Sequence, residues 1–115
     1  MILVIGGYAA GKRAYVSETL GFAPEEMSTD PTDSAPVLYN LQDCGLAPTL
    51  QTVALLLQKQ VVLCNEVGCG LVPMSAEERQ RREDVGRLCI LLAQKAAKVV
   101  RVCCGIGTVI KEESQ

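Results

Sequence analysis

Residues 1–15 read MILVIGGYAAGKRAY. An apolar run from Ile2 to Ile5 stops at Gly6-Gly7, and Gly6 to Lys12 fit G-x-x-x-x-G-K, the spacing of a phosphate-binding loop. From Gly11 to about Leu20 the spacing is that of a helix. In that order of strand, glycine loop and helix, backbone N–H groups around Ala9 to Lys12 cradle phosphate oxygens while the Lys12 ammonium reaches the outer ones. The plainer alternative is a glycine turn followed by an ordinary helical lysine, but strand, spacing and helix agree and favour phosphate. One position departs: where such loops carry a Ser or Thr whose hydroxyl holds Mg²⁺, this chain has Arg13.

Outward from the loop, Gly21 to Pro36 reads as an acidic, mobile loop closed by prolines. Val37 to Leu41 predict a second strand ending at Asp43-Cys44-Gly45, and Pro48 opens a helix to about Lys59. Val61 to Cys64 predict a third strand running into Asn65-Glu66. Ser75, with Glu78 three residues on, caps a long helix to about Ala97. Val99 to Cys103 predict a fourth strand before Gly105-Ile106-Gly107. Strands alternating with helices through short links imply a single α/β domain over residues 1–115, a three-layer parallel sheet of the phosphate-loop NTPase type in reduced form.

Composition agrees with a covered parallel sheet. The chain is 49% hydrophobic and 3% aromatic with mean hydropathy +0.23, so Val, Leu, Ile, Ala and Cys must fill the core. Net charge −2 and pI near 5.1 give no reason to expect nucleic acid as a partner. No apolar run approaches a membrane span, and MILVI lacks the basic flank of a signal peptide, so the expected location is cytoplasmic. The absence of histidine excludes Cys/His zinc patterns and any histidine base or covalent carrier. The six cysteines read as small hydrophobes. Cys44, Cys64, Cys69 and Cys104 fall near predicted strand ends, which keeps a soft-metal or thiol site as an alternative.

Ligands of such sheets bind at the carboxyl ends of the strands. Gly6, Gly7, Gly11, Lys12 and Arg13 are therefore candidate nucleotide-binding residues. Asp43 stands where phosphate-loop enzymes place the acid that helps hold Mg²⁺, with a loop cap as the alternative. With Arg13 displacing the hydroxyl ligand, weak Mg²⁺ binding follows. Arg79, Arg81, Arg82 and Arg87 alternate with acids on the long helix, the usual pattern of a solvated face.

Three stretches together point further: Asn65 to Pro73 (NEVGCGLVP), Arg82 to Arg87 (REDVGR) and Cys104 to Lys111 (CGIGTVIK). With the loop they resemble the bifunctional adenosylcobinamide kinase / adenosylcobinamide-phosphate guanylyltransferase family of cobalamin biosynthesis. The resemblance implies a phosphate-loop fold assembled as a homo-oligomer, a trimer, that uses GTP or ATP to phosphorylate cobinamide and then transfers GMP through a guanylylated histidine. It places Gly6, Gly7, Gly11 and Lys12 on nucleotide phosphates, Asp43 at the family's acidic position, Glu66 at the strand-end carboxylate, and Arg82 and Arg87 at the helix arginines. Lys12 and Glu66 are then the expected catalytic residues, and Asp43 the expected metal ligand.

The departures are as specific. The family's histidine-bearing segment, between the first helix and Asp43, has no counterpart. Arg13 replaces the loop serine, Cys89-Ile90 an Asn-Gln pair, and Cys104 a serine. Two functions remain open from the sequence: a reduced cobinamide kinase, or a non-catalytic nucleotide- or corrinoid-binding module in regulation or assembly.

Overall fold

A computed structural model describes residues 1–7, 9–66 and 75–113. Strand β1 (Ile2–Gly6) leads into helix α1 (Lys12–Thr19); β2 (Met27–Ser28) and β3 (Val37–Leu38) are short; helix α2 (Leu50–Leu56) precedes β4 (Val61–Asn65); helix α3 (Ala76–Lys95) precedes β5 (Lys98–Cys103) and β6 (Ile106–Glu112). The six strands form one sheet in the order β2-β3-β4-β1-β5-β6. All neighbours run parallel except β5 and β6. Among the described residues no helix is long and apolar enough to cross a membrane.

The apolar runs explain the centre of this order. β1 lies between β4 and β5, pairing Leu3 with Val62 on one side and Val99 on the other. Its alternate side chains therefore enter two cores. Leu3 joins Leu38, Leu56, Val62, Leu88 and Leu92 under α2 and α3, and Val4 joins Val16, Val37, Leu63 and Val102 under α1. The result is the expected three layers, α1 on one face and α2 with α3 on the other. Val85, Leu88 and Leu92 recur at helical spacing along the buried stripe of α3. The Ser75 hydroxyl accepts from the Glu78 N–H at its start. At its end the Lys111 ammonium donates to the Ala93, Gln94 and Ala96 carbonyls, which have no partner within the helix.

Three expectations change. The second strand stops at Leu38 rather than Leu41: Asn40 takes a left-handed conformation (φ 56°), and the chain turns into a one-turn 3₁₀ helix, Leu41–Asp43. Asparagine tolerates that conformation, and the turn buries Leu41 in the α2/α3 core. Asp43 therefore ends a helical turn and not a strand. The stretch Gly21 to Pro36, expected as a loop, contains a 3₁₀ turn (Pro24–Glu26) and β2. Its acids are engaged: Asp30 accepts from Thr32, and Asp33 accepts from Ser28 and from the buried Lys59 ammonium at 2.8 Å. Finally, the fourth predicted strand, β5, is followed at once by a further long strand, β6. Cys104 (φ 51°) and Gly105 (φ 75°) make a two-residue turn with both residues left-handed, the geometry that returns a chain antiparallel beside itself.

Candidate phosphate site

The loop between β1 and α1 is shaped by contacts that exclude side chains. A Cβ on Gly6 would stand 2.6 Å from the Val102 carbonyl oxygen of β5 and 3.3 Å from the Lys12 side chain. Gly11 has φ 91°, and a Cβ there would meet the Gly105 Cα at 3.1 Å. The β5–β6 hairpin tip thus leans on the loop, and the Gly105 N–H donates to the Ala10 carbonyl at 2.8 Å. From the other side the Glu66 N–H donates to the Gly6 carbonyl at 2.8 Å. A Cβ on Gly7 would meet nothing within 4 Å, so steric fit does not require a glycine there.

Helix α1 starts at Gly11 with no side-chain cap and no acid in its first turn. Its positive end therefore has no anionic side chain of its own. The Lys12 ammonium folds back on the loop and donates to the Gly7 carbonyl at 2.7 Å. Burial lowers the Lys12 pKa, and the nearby Glu66 carboxylate pulls it back up. Arg13 lies with its guanidinium carbon 5.0 Å from the centre of the Tyr39 ring, a cation–π contact. These residues border a cavity of about 650 Å³, which also reaches Asn40, Gln42, Asp43 and Asn65.

Of the residues expected at the site, Gly11, Lys12, Arg13 and Asp43 line this cavity, and Gly6 and Gly7 belong to the loop that forms its rim. Glu66 sits one residue past β4, against the loop, but its carboxylate is engaged by Arg101, Nε to Oε1 at 2.7 Å and the terminal nitrogen to Oε2 at 3.1 Å. Arg82 and Arg87 do not line it. The neighbouring groove, about 410 Å³, takes Gln80, Arg81 and Asp84 of α3 instead. Residues 67–73 of NEVGCGLVP, Cys69 among them, lie outside the described residues.

Several participants escaped sequence reasoning. Arg101 had a visible signal, a cation flanked by valines in the strand Lys98–Cys103. Tyr39 and Gln42 had none, because their roles are long-range: the Gln42 side-chain oxygen accepts from the Asn65 N–H at 3.0 Å and ties the 3₁₀ turn to the end of β4. The cysteines divide. Cys64 and Cys89 face each other at 3.6 Å between sulfurs, and that contact together with burial pushes the Cys64 thiol pKa up. Cys103 and Cys104 are exposed. Among the described residues no three potential metal-ligating side chains gather.

Phosphate fits this donor set: an uncapped helix start, and a lysine whose hydrogen bond among the described residues is to a carbonyl. Mg²⁺ fits it poorly. The hydroxyl ligand is replaced by a guanidinium, and Asp43 is carried off the strand end by the Asn40 turn.

Two comparisons bear on this site. A family model described as cobinamide kinase / cobinamide phosphate guanyltransferase matches residues 41–110, more than half of the chain. That span begins beyond the phosphate loop. No curated protein matches.

Proposed function

Because the chain belongs to the cobinamide kinase / cobinamide phosphate guanyltransferase family, we propose that it binds the phosphates of GTP or ATP in the Gly6–Arg13 loop, with cobinamide as the candidate acceptor. The observation that carries this reading is the Lys12 ammonium, which among the described residues donates to the Gly7 carbonyl alone, beside a cavity of about 650 Å³ at an uncapped helix start. An incoming phosphate oxygen exchanges with the Gly7 carbonyl, and the α1 N–H groups supply further donors. Glu66, gripped by Arg101, lies near enough to Lys12 to favour its charged form.

A guanylyl transfer through histidine is not part of this function, since the chain has none. Catalysis is accordingly reduced or lost, and the alternative role is a nucleotide- or corrinoid-binding module. Self-association belongs to the same proposal. Ile106, Val109 and Ile110 are exposed on β6, an edge strand of the sheet among the described residues and so a natural place for a second copy to pair.

The test is titration of the full chain with GTP and ATP. Lys12→Ala should weaken binding by roughly tenfold or more, as expected for losing a charge-assisted hydrogen bond to phosphate. Labelled GTP should leave no acid-labile phosphoramidate on the denatured chain. Binding unchanged by Lys12→Ala refutes the loop assignment; a phosphoramidate label refutes the loss of the guanylyl step.

A further inference from the structure

The cations of this chain differ in what they touch. The Lys59 ammonium meets three oxygens, from Asp33 twice and Ala35 once. Lys111 likewise meets three carbonyls. Arg101 grips the Glu66 carboxylate. Lys12 meets one carbonyl, and among the described residues no carboxylate pairs with Arg13, which rests on a ring. Both of these lightly held cations border the same cavity.

Arg13 occupies the sequence position from which a hydroxyl would ligate Mg²⁺. A guanidinium at that place repels a divalent cation, whereas a phosphate oxygen between it and Lys12 is attracted by both. The side chain has room to turn toward such an anion. The Arg13–Tyr39 pair divides the large cavity from a second one of about 340 Å³, bordered by Ala14, Ser17, Pro24 and Met27, so open space lies on both sides. The Tyr39 ring holds the charge without neutralising it, and a guanidinium is suited to leave a ring for two phosphate oxygens at once.

We infer that Arg13 stands in for the metal, so that this loop takes nucleoside di- and triphosphates as metal-free anions, with Lys12 and Arg13 as the paired counter-charges. Tyr39 is the resting place of Arg13 when phosphate is absent. The inference rests on the phosphate-binding reading above.

Calorimetric titration of the folded full chain with GTP, in excess EDTA and in excess MgCl₂, tests it. Wild type should bind at least as tightly in EDTA as in magnesium. Arg13→Ser, its fold checked by circular dichroism, should bind roughly tenfold or more weakly in EDTA and recover affinity when magnesium is added. Arg13→Lys should retain part of the metal-free affinity, since it keeps the charge but loses the fork. The inference is overturned by a wild type that needs magnesium for tight binding, or by Arg13→Ser binding as wild type does in EDTA. If Lys12→Ala still abolishes binding in those cases, the loop assignment survives without a role for Arg13. A wild type that binds neither GTP nor ATP under either condition removes both.

Discussion

Substituting alanine at Gly6 places a methyl group against β5 at the point where the phosphate loop leaves the sheet. Gly6 is paired in register with Val102, and the new Cβ would lie 2.6 Å from the Val102 carbonyl oxygen. That oxygen belongs to backbone in a strand paired on both sides, so no rotamer change relieves the contact, and β5 must move by several tenths of an ångström. Overpacking of this kind costs about 1–3 kcal/mol. The alanine also narrows the unfolded ensemble, which returns about 0.4–1 kcal/mol. A net loss of about 1–2 kcal/mol corresponds to a Tm lower by about 4–8 °C for a domain of this size. Gly7→Ala is the internal control, because a Cβ there meets nothing within 4 Å. It should be as stable as wild type or more stable by up to about 1 kcal/mol, the unfolded-chain gain without the clash. Thermal and urea denaturation of both variants measure the difference, and GTP titration should show weakened binding for Gly6→Ala, whose Cβ also presses on the Lys12 stem at 3.3 Å. Equal stability of the two variants would refute the close-approach argument and leave Gly6 as an ordinary turn glycine.

Lys59→Met should destabilise by about 2–4 kcal/mol, measured by urea denaturation, because three oxygens lose a buried charged donor. The hydrogen bond from Lys59 is also the largest of the causes that hold the Asp33 carboxyl below its ordinary pKa. A depressed carboxylate contributes stability above its unfolded pKa and loses it as pH falls through the folded one. Acid titration should therefore erode wild-type stability more steeply than that of Lys59→Met from about pH 5 downward. Light scattering at micromolar concentration should give a homo-oligomer, with the trimer as the expected size. Val109→Lys, on the exposed edge strand, should shift it toward monomer. A monomeric wild type sinks the proposed self-association.

The central strands were legible because burial on both faces leaves no polar alternation to misread: Ile2–Gly6 and Val61–Asn65 stand out as apolar runs, and Lys98–Cys103 is marked by Val99, Val100 and Val102 despite the exposed Arg101. Helix α3 declared itself through its serine cap and its apolar spacing. The edges of the sheet were less legible for physical reasons. β2 contributes two residues, too few for any period, and is recognised only through its pairing with β3. β6 exposes most of its side chains, so burial imposes little pattern on it, and its turn carries Cys104 where Asn or Asp would advertise a tight hairpin. Gly107 within it looked like loop punctuation. It is a strand glycine beneath a ring, where a Cβ would come within 2.7 Å of the Tyr15 Cζ.

The site divides along the same line between local and long-range causes. Lys12 and the loop glycines were announced by their spacing, although what excludes a side chain at Gly6 and crowds one at Gly11 is the distant backbone of Val102 and Gly105. The electrostatics around them are set by groups far along the chain: Arg101 on Glu66, Tyr39 beneath Arg13, Gln42 on the Asn65 N–H. The consequential case is Asn40. Read as a string, VLYNLQD extends a strand to its acid and invites a metal. In the fold, the left-handed Asn40 ends the strand, Leu41 turns into the core, and Gln42 reaches β4, so Asp43 arrives on the cavity wall from a helical turn. The acid thereby loses its strand-end position in the same molecule that puts a guanidinium in place of the hydroxyl ligand. These two changes are independent, one a backbone turn at Asn40 and the other a side-chain replacement at Arg13, and under the proposed phosphate binding both shift the counter-charge onto Lys12 and Arg13.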